Sequence, residues 1–158
     1  MIDSRISPHT DWLRLAEPLA LDSGQTLPDV RIAYRSWGQL SAAGDNAVLV
    51  CHALTGSADA DVWWAPLFGP GRTLDPSRDF IVCANALGSC YGSTGPASPA
   101  PDGQRWGARF PVITVRDQVS AHMRLADHLA ERTRTPFACK NLITHGKPSP
   151  AKSQKAPC

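Results

Sequence analysis

A chain of 158 residues with 42% apolar side chains and a net charge of +2 is long enough for one domain with a real core, and its overall charge points to no strongly basic or acidic class. No apolar run approaches the roughly 20 residues of a membrane span, and Met1-Ile2-Asp3-Ser4-Arg5 lacks the layout of a signal peptide, so no membrane partner and a cytoplasmic location are expected. Cys51, Cys83, Cys90, Cys139 and Cys158 are odd in number without a Cys-x-x-Cys pair, and the five histidines show no metal-ligand spacing, which points to reduced thiols and no metal site.

In chain order, Leu13 to Leu21 carries alternate leucines interrupted by Glu17-Pro18, the pattern of an edge strand running into the turn Asp22-Ser23-Gly24. Val30 to Trp37 alternates with period two and reads as a half-buried strand antiparallel to the first. Ala47-Val48-Leu49-Val50-Cys51-His52 is a continuous apolar run bounded by turn residues, the signature of a parallel strand buried on both faces. Ligand crevices of open α/β sheets lie at the carboxyl ends of such strands, which directs attention to His52 through Ser57. Asp61 to Phe68, cut by Pro66, supports a short helix or an aromatic-lined loop.

Phe80 to Ala84 is a second buried strand, and Asn85 to Phe110 is a Gly, Pro and Ser-rich loop long enough to suggest function. Thr114-Val115-Arg116-Asp117 has the form of a capping box, and Val115, Val119, Met123, Ala126 and Leu129 follow at helical spacing, predicting an amphipathic helix over 114–131 with that stripe as its packed face. His122 and His128 fall off the stripe and are expected in solvent.

Ten arginines, no lysine and all fourteen acids precede Arg132; from there on come two arginines, four lysines and no acid. That seam divides residues 1–131, the folded part, from 132–158, a basic tail with no periodicity that is expected to be disordered. The tail lacks interleaved aromatics and any nucleic-acid module, so no nucleic-acid partner is expected.

Leu87-Gly88-Ser89-Cys90-Tyr91 invites a papain-type reading, but Gly92, Gly95 and Pro96 oppose the helix that such a nucleophile opens, and the required histidine about 130 residues downstream has no place here. No serine sits in a Gly-x-Ser-x-Gly elbow, and no dinucleotide or phosphate-loop fingerprint is present. His52 is read as a hydrogen-bonded structural residue; Trp63 and Trp64 fit either loop packing or a pocket for an apolar, pantetheine-like group.

Val30 to Gly38, Cys51-His52-Ala53-Leu54-Thr55-Gly56, Gly69-Pro70-Gly71-Arg72, Cys83 to Pro96 and Phe110 to Asp117 together closely resemble the N-terminal third of homoserine O-acetyltransferases. The resemblance runs from about Leu13 to Leu129. It implies an incomplete α/β-hydrolase fold, that is, the N-terminal strands and first helices of a mostly parallel sheet. It also implies acyl transfer from acetyl-CoA, or succinyl-CoA, to L-homoserine in methionine biosynthesis, through an acyl-serine, by relatives that are homodimeric; no cofactor stays bound.

On this resemblance the backbone N–H of Leu54 is an oxyanion donor, and Ala53, Leu54, Thr55 and Gly56 touch substrate. The Gly-Gly-Ser-Met-Gly-Gly elbow, the acid and the histidine of the family are not found among these residues. The expectation is therefore a chain truncated before its nucleophile, inactive alone, whose strand Ala47 to His52 lacks its later neighbours. The alternatives are a non-catalytic interaction fragment and a relative that acylates L-serine.

Overall fold

The computed structural model describes residues 6–53, 56–135 and 139–144. A five-stranded sheet has the order β1-β4-β6-β5-β7, with β1 at Asp11–Arg14, β4 at Arg31–Trp37, β6 at Phe80–Ala84, β5 at Ala47–Cys51 and β7 at Cys139–Thr144. β1 pairs antiparallel with β4 (Leu13 opposite Ile32) and β4 antiparallel with β6, whereas β6, β5 and β7 are mutually parallel. The edge strand expected over Leu13 to Leu21 stops at Arg14. Leu19–Ala20 (β2) and Thr26–Leu27 (β3) form a separate antiparallel pair, leaving Glu17-Pro18 in the connection from β1 to β2.

Both faces of the sheet are covered, which explains the continuous apolar runs. Val48, Val50, Ile81 and Cys83 face a cluster with Ala58, Ala60 and Leu74 beside the short helix α1 (Ala60–Trp63) and the 3-10 turn Ala65–Leu67. Leu49, Phe80, Val82 and Ala84 face the other way, toward Ala121, Leu125 and Leu129 of the long helix α2 (Val115–Thr133). The same double cover corrects the half-buried reading of β4: Ile32, Ala33, Tyr34 and Arg35 are all buried. A charged residue in such a strand must bring its partners with it.

α2 begins as its sequence predicts. Thr114 Oγ1 accepts from the Asp117 N–H, and Asp117 Oδ2 accepts from the Thr114 N–H at 2.7 Å, closing the capping box. Asp117 also accepts from the Asp22 N–H at 2.8 Å, tying the helix start to the turn after β2. Burial works to raise the Asp117 carboxyl, but the hydrogen bonds from Thr114 and Asp22 outweigh it and hold the group below the usual carboxylate range. Asp117→Ala should cost about 1–2 kcal/mol, read from the midpoint of urea unfolding.

One expectation fails in α2. The stripe taken as the packed face of α2 is largely open, with Val115 80%, Val119 52% and Met123 62% exposed, while Asp117, Ala121, Leu125 and Leu129 are the buried positions. The helix is rotated so that the capping aspartate faces inward. Within the segment from Arg132 onward, residues 139–144 form β7 beside β5, so β5 is flanked by strands on both edges. β7 includes Leu142-Ile143, a short apolar pair that prolines and lysines on either side mask in composition. Residues 145–158 lie outside the described residues.

Candidate functional site

β5 delivers the chain to His52 at the carboxyl end of the parallel strands, where ligand crevices form in open α/β sheets. The Gly56 N–H donates to the Ala53 carbonyl at 2.8 Å, which draws the two ends of the loop together. A Cβ on Gly56 would stand 3.2 Å from that carbonyl and 3.3 Å from the His52 Cβ, so the close return favours glycine. Ala53 and Gly56 are half-buried at this turn. Leu54 and Thr55, the expected oxyanion donor and its neighbour, lie outside the described residues.

The continuation of this loop is fixed from three directions. Arg35, reaching out of β4, donates to Asp59 at 2.9 Å and bidentately to Asp61 at 2.6 and 2.9 Å, and its guanidinium lies 4.6 Å from the Trp37 ring centroid. Trp63 Nε1 donates to the Ser57 carbonyl at 3.0 Å. At the end of β6, Asn85 Oδ1 accepts from the Ala58 N–H at 2.7 Å while its Nδ2 donates to the Tyr91 carbonyl at 2.8 Å. Ser93 Oγ donates to the Asn85 carbonyl at 2.6 Å and accepts from the Ala33 N–H at 3.0 Å.

Asn85 thus joins the loops that leave β5 and β6, and the sequence reading missed it, as it missed Arg35, Asp59 and Asp61. Asn85→Ala leaves a buried N–H and a carbonyl without partners and should lower stability by about 2 kcal/mol, measurable by chemical unfolding.

His52 Nδ1 lies 2.8 Å from the Ala53 carbonyl. A carbonyl only accepts, so Nδ1 carries a proton and donates it there. The Nε2 atoms of His52 and His122 are both buried and have no hydrogen-bond partner among the described residues. Both rings line an apolar groove of about 450 Å³ beside α2, with Leu49, Val82, Val119 and Met123 among its walls. His122 is therefore not solvated as expected: α2 turns it toward the sheet, and burial, aided by repulsion from His52, pushes its pKa down to about 4.

Cys83 is buried, and burial raises its thiol far above the ordinary value, which makes it inert. Cys90 is exposed on a loop of bends with no helix behind it, in keeping with the rejection of a papain-type centre. Trp63 and Trp64 meet edge to face at 4.6 Å and pack against the cluster around Leu74, as loop packing. Among the described residues no group of three or more His, Cys, Asp or Glu is placed to hold a metal ion, and no helix is long and apolar enough to cross a membrane.

No protein-family model matches the chain. A protein of Chloroherpeton thalassium named homoserine O-acetyltransferase is 58% identical over 124 residues, which is 78% of this chain and 33% of that protein. Among solved structures, homoserine O-acetyltransferase from Bacillus anthracis superposes with a TM-score of 0.69 at 25% identity, over 77% of this chain and 36% of that one. An acetylester hydrolase from Corynebacterium glutamicum superposes with a TM-score of 0.65 at 28% identity, over 75% and 33% of the two chains. The chain spans about a third of the length of the curated relatives it matches. Its order of strands, its buried parallel core and this degree of identity make it a relative of the N-terminal third of the homoserine O-acetyltransferases, on part of an α/β-hydrolase scaffold.

Proposed function

We propose that these residues build the N-terminal part of an acyl-transfer site that moves an acetyl group from acetyl-CoA to the hydroxyl of L-homoserine, on the route to methionine. The observation that carries this reading is the sustained identity to proteins of that name across the strands and loops that hold the turn after β5. In it, the Leu54 N–H stabilises the oxyanion that develops as a serine hydroxyl attacks the thioester carbonyl. The thioester bond breaks, CoA leaves as the thiol, and homoserine then takes the acyl group from serine, restoring the hydroxyl.

The attacking serine, its base and its acid are supplied by residues that these 158 do not contain. Arg35, Asn85 and Gly56 act as positioning residues for the turn. The 158-residue chain by itself is expected to show no turnover with acetyl-CoA and homoserine. The acetylester hydrolase among the structural matches favours a second reading, in which water is the acceptor.

A chimera tests both. The matched 124 residues of this chain are placed in the Chloroherpeton thalassium protein in place of its own. Acetyl-homoserine formation by a folded chimera supports the proposal; acetyl-CoA hydrolysis that homoserine does not intercept supports the esterase reading. A folded chimera with neither activity overturns both.

A further inference from the structure

A pair of arginines stands at the ligand-binding end of the sheet, away from the turn after β5. β4 runs antiparallel to β6 and pairs Tyr34 with Ala84, so Arg31 at its start reaches past the end of β6, on the side where ligands gather in open α/β sheets. The sheet order puts β4 two strand spacings, about 10 Å, from β5. Arg14 of β1 lies directly opposite Arg31 in the antiparallel register, so both side chains leave the same face. Like charges placed this way repel each other.

A single acid answers the pair. Arg14 Nε donates to Asp29 Oδ1, which leaves the terminal N–H groups of Arg14 without an acceptor among the described residues. The Arg31 guanidinium lies 4.4 Å from the centroid of the Trp12 ring. Stacking engages the face of the guanidinium and leaves the N–H groups along its edge to donate elsewhere. Arg14, Asp29 and Arg31 line a cleft of about 230 Å³ together with Thr94 and Ser98. Thr94 is only 4% exposed, and its Oγ1 accepts from the Arg31 backbone N–H at 2.8 Å. Ser98 Oγ accepts from the Gly95 N–H at 3.0 Å. Both hydroxyl protons are thus left to donate.

We propose that this cleft binds a phosphate group that still carries one proton. The Arg14 and Arg31 forks hold its ionised oxygens, and the Thr94 and Ser98 hydroxyls are further donors. Asp29 selects among oxyanions: its carboxylate repels a fully ionised group but accepts from the O–H of a singly protonated phosphate, which sulfate lacks. Free phosphate and the phosphate monoester of coenzyme A both present this chemistry. The site stands apart from the acyl-transfer reading, and only the coenzyme A arm of its test rests on that reading.

The test is titration calorimetry of the full 158-residue chain at constant ionic strength and about pH 6.5, where singly protonated phosphate is present. The probes are inorganic phosphate, sulfate, coenzyme A and dephospho-coenzyme A. The expected result is phosphate binding with a Kd on the order of 1 mM, weaker for sulfate, and weakened about tenfold by Arg31→Gln or Arg14→Gln. Arg124→Gln, on an exposed position of α2, should leave it unchanged. Arg14 and Arg31 are exposed, so without phosphate the variants should melt with the parent, and lost binding is not lost folding. Preference for coenzyme A over its dephospho form supports the proposal with the acyl donor as the source of the phosphate. Equal binding of those two beside phosphate binding supports it with free phosphate as the source, and leaves the acyl-transfer reading to the chimera. Absence of phosphate binding up to about ten times the expected Kd overturns it. Sulfate bound as tightly as phosphate, or a loss shared equally by all three arginine variants, also overturns it, because the cleft is then no more than diffuse positive charge.

Discussion

Arg35→Ala is expected to destabilise the protein by on the order of 3 kcal/mol, which for a chain of this size lowers the melting temperature by roughly 10 °C. Arg35 is only 7% exposed, and its guanidinium answers Asp59 and Asp61 at once. Removing it strands two carboxylates beside a buried strand and empties the face of Trp37. Because both aspartates retain partial access to water, the loss falls at the lower end of what breaking a buried ion pair costs.

The pair is best measured in a cycle: Asp61→Asn in the Arg35→Ala background should cost much less than in the parent. Equal costs in the two backgrounds would show that the ion pair does not hold the loop. Arg35→Lys should recover little, since the bidentate geometry toward Asp61 needs a planar fork.

The second large effect is a dependence of stability on pH between about 6.5 and 4. His122 binds its proton less readily in the folded state, at about 4 against 6.5 when unfolded. Over that interval the unfolded chain takes up more protons, so stability is full above the unfolded value and falls as pH drops toward 4. A gap of this size corresponds to on the order of 3 kcal/mol.

The causes are, first, burial against the apolar groove walls and, second, the His52 ring. Asp117 contributes in the same sense at lower pH: its depressed carboxyl adds stability that is present above the usual carboxylate value and lost as pH falls through its lower folded value, below the histidine window. His122→Leu should therefore flatten the profile from pH 6.5 to 4 and leave the more acidic limb in place. A slope unchanged by that substitution would contradict the burial of His122. At neutral pH the variant should be no less stable than the parent, because the Nε2 it removes has no partner.

Particular residues show what could be read in advance and what could not. Phe80-Ile81-Val82-Cys83-Ala84 and Ala47 to Cys51 announce themselves because strands covered on both faces need no polar positions, and Thr114 to Asp117 announces the start of α2 because a capping box is local chemistry. The face of α2 was misread because periodicity identifies an apolar stripe but not whether anything lies against it. Val115, Val119 and Met123 form the stripe, yet Asp117 and Ala121 face the core.

Arg35 escaped notice because alternation assigned it to a solvent side that the cover over β4 removes. Its partners, Asp59 and Asp61, lie at the start of α1, 24 and 26 residues away and beyond the reach of local pattern. His122 was placed in water by the same stripe that misoriented the helix. The turn after β5 was singled out by topology, since a strand end in a parallel sheet draws attention regardless of the side chains that follow it.

The most direct check of the account is the intact mass of the 158-residue protein after incubation with acetyl-CoA, followed by a chase with L-homoserine. The account predicts no acetyl group on the chain that homoserine can remove. An acetylated side chain of this chain that is cleared by homoserine, with acetyl-homoserine appearing in step, would contradict the claim that the attacking group resides outside these residues.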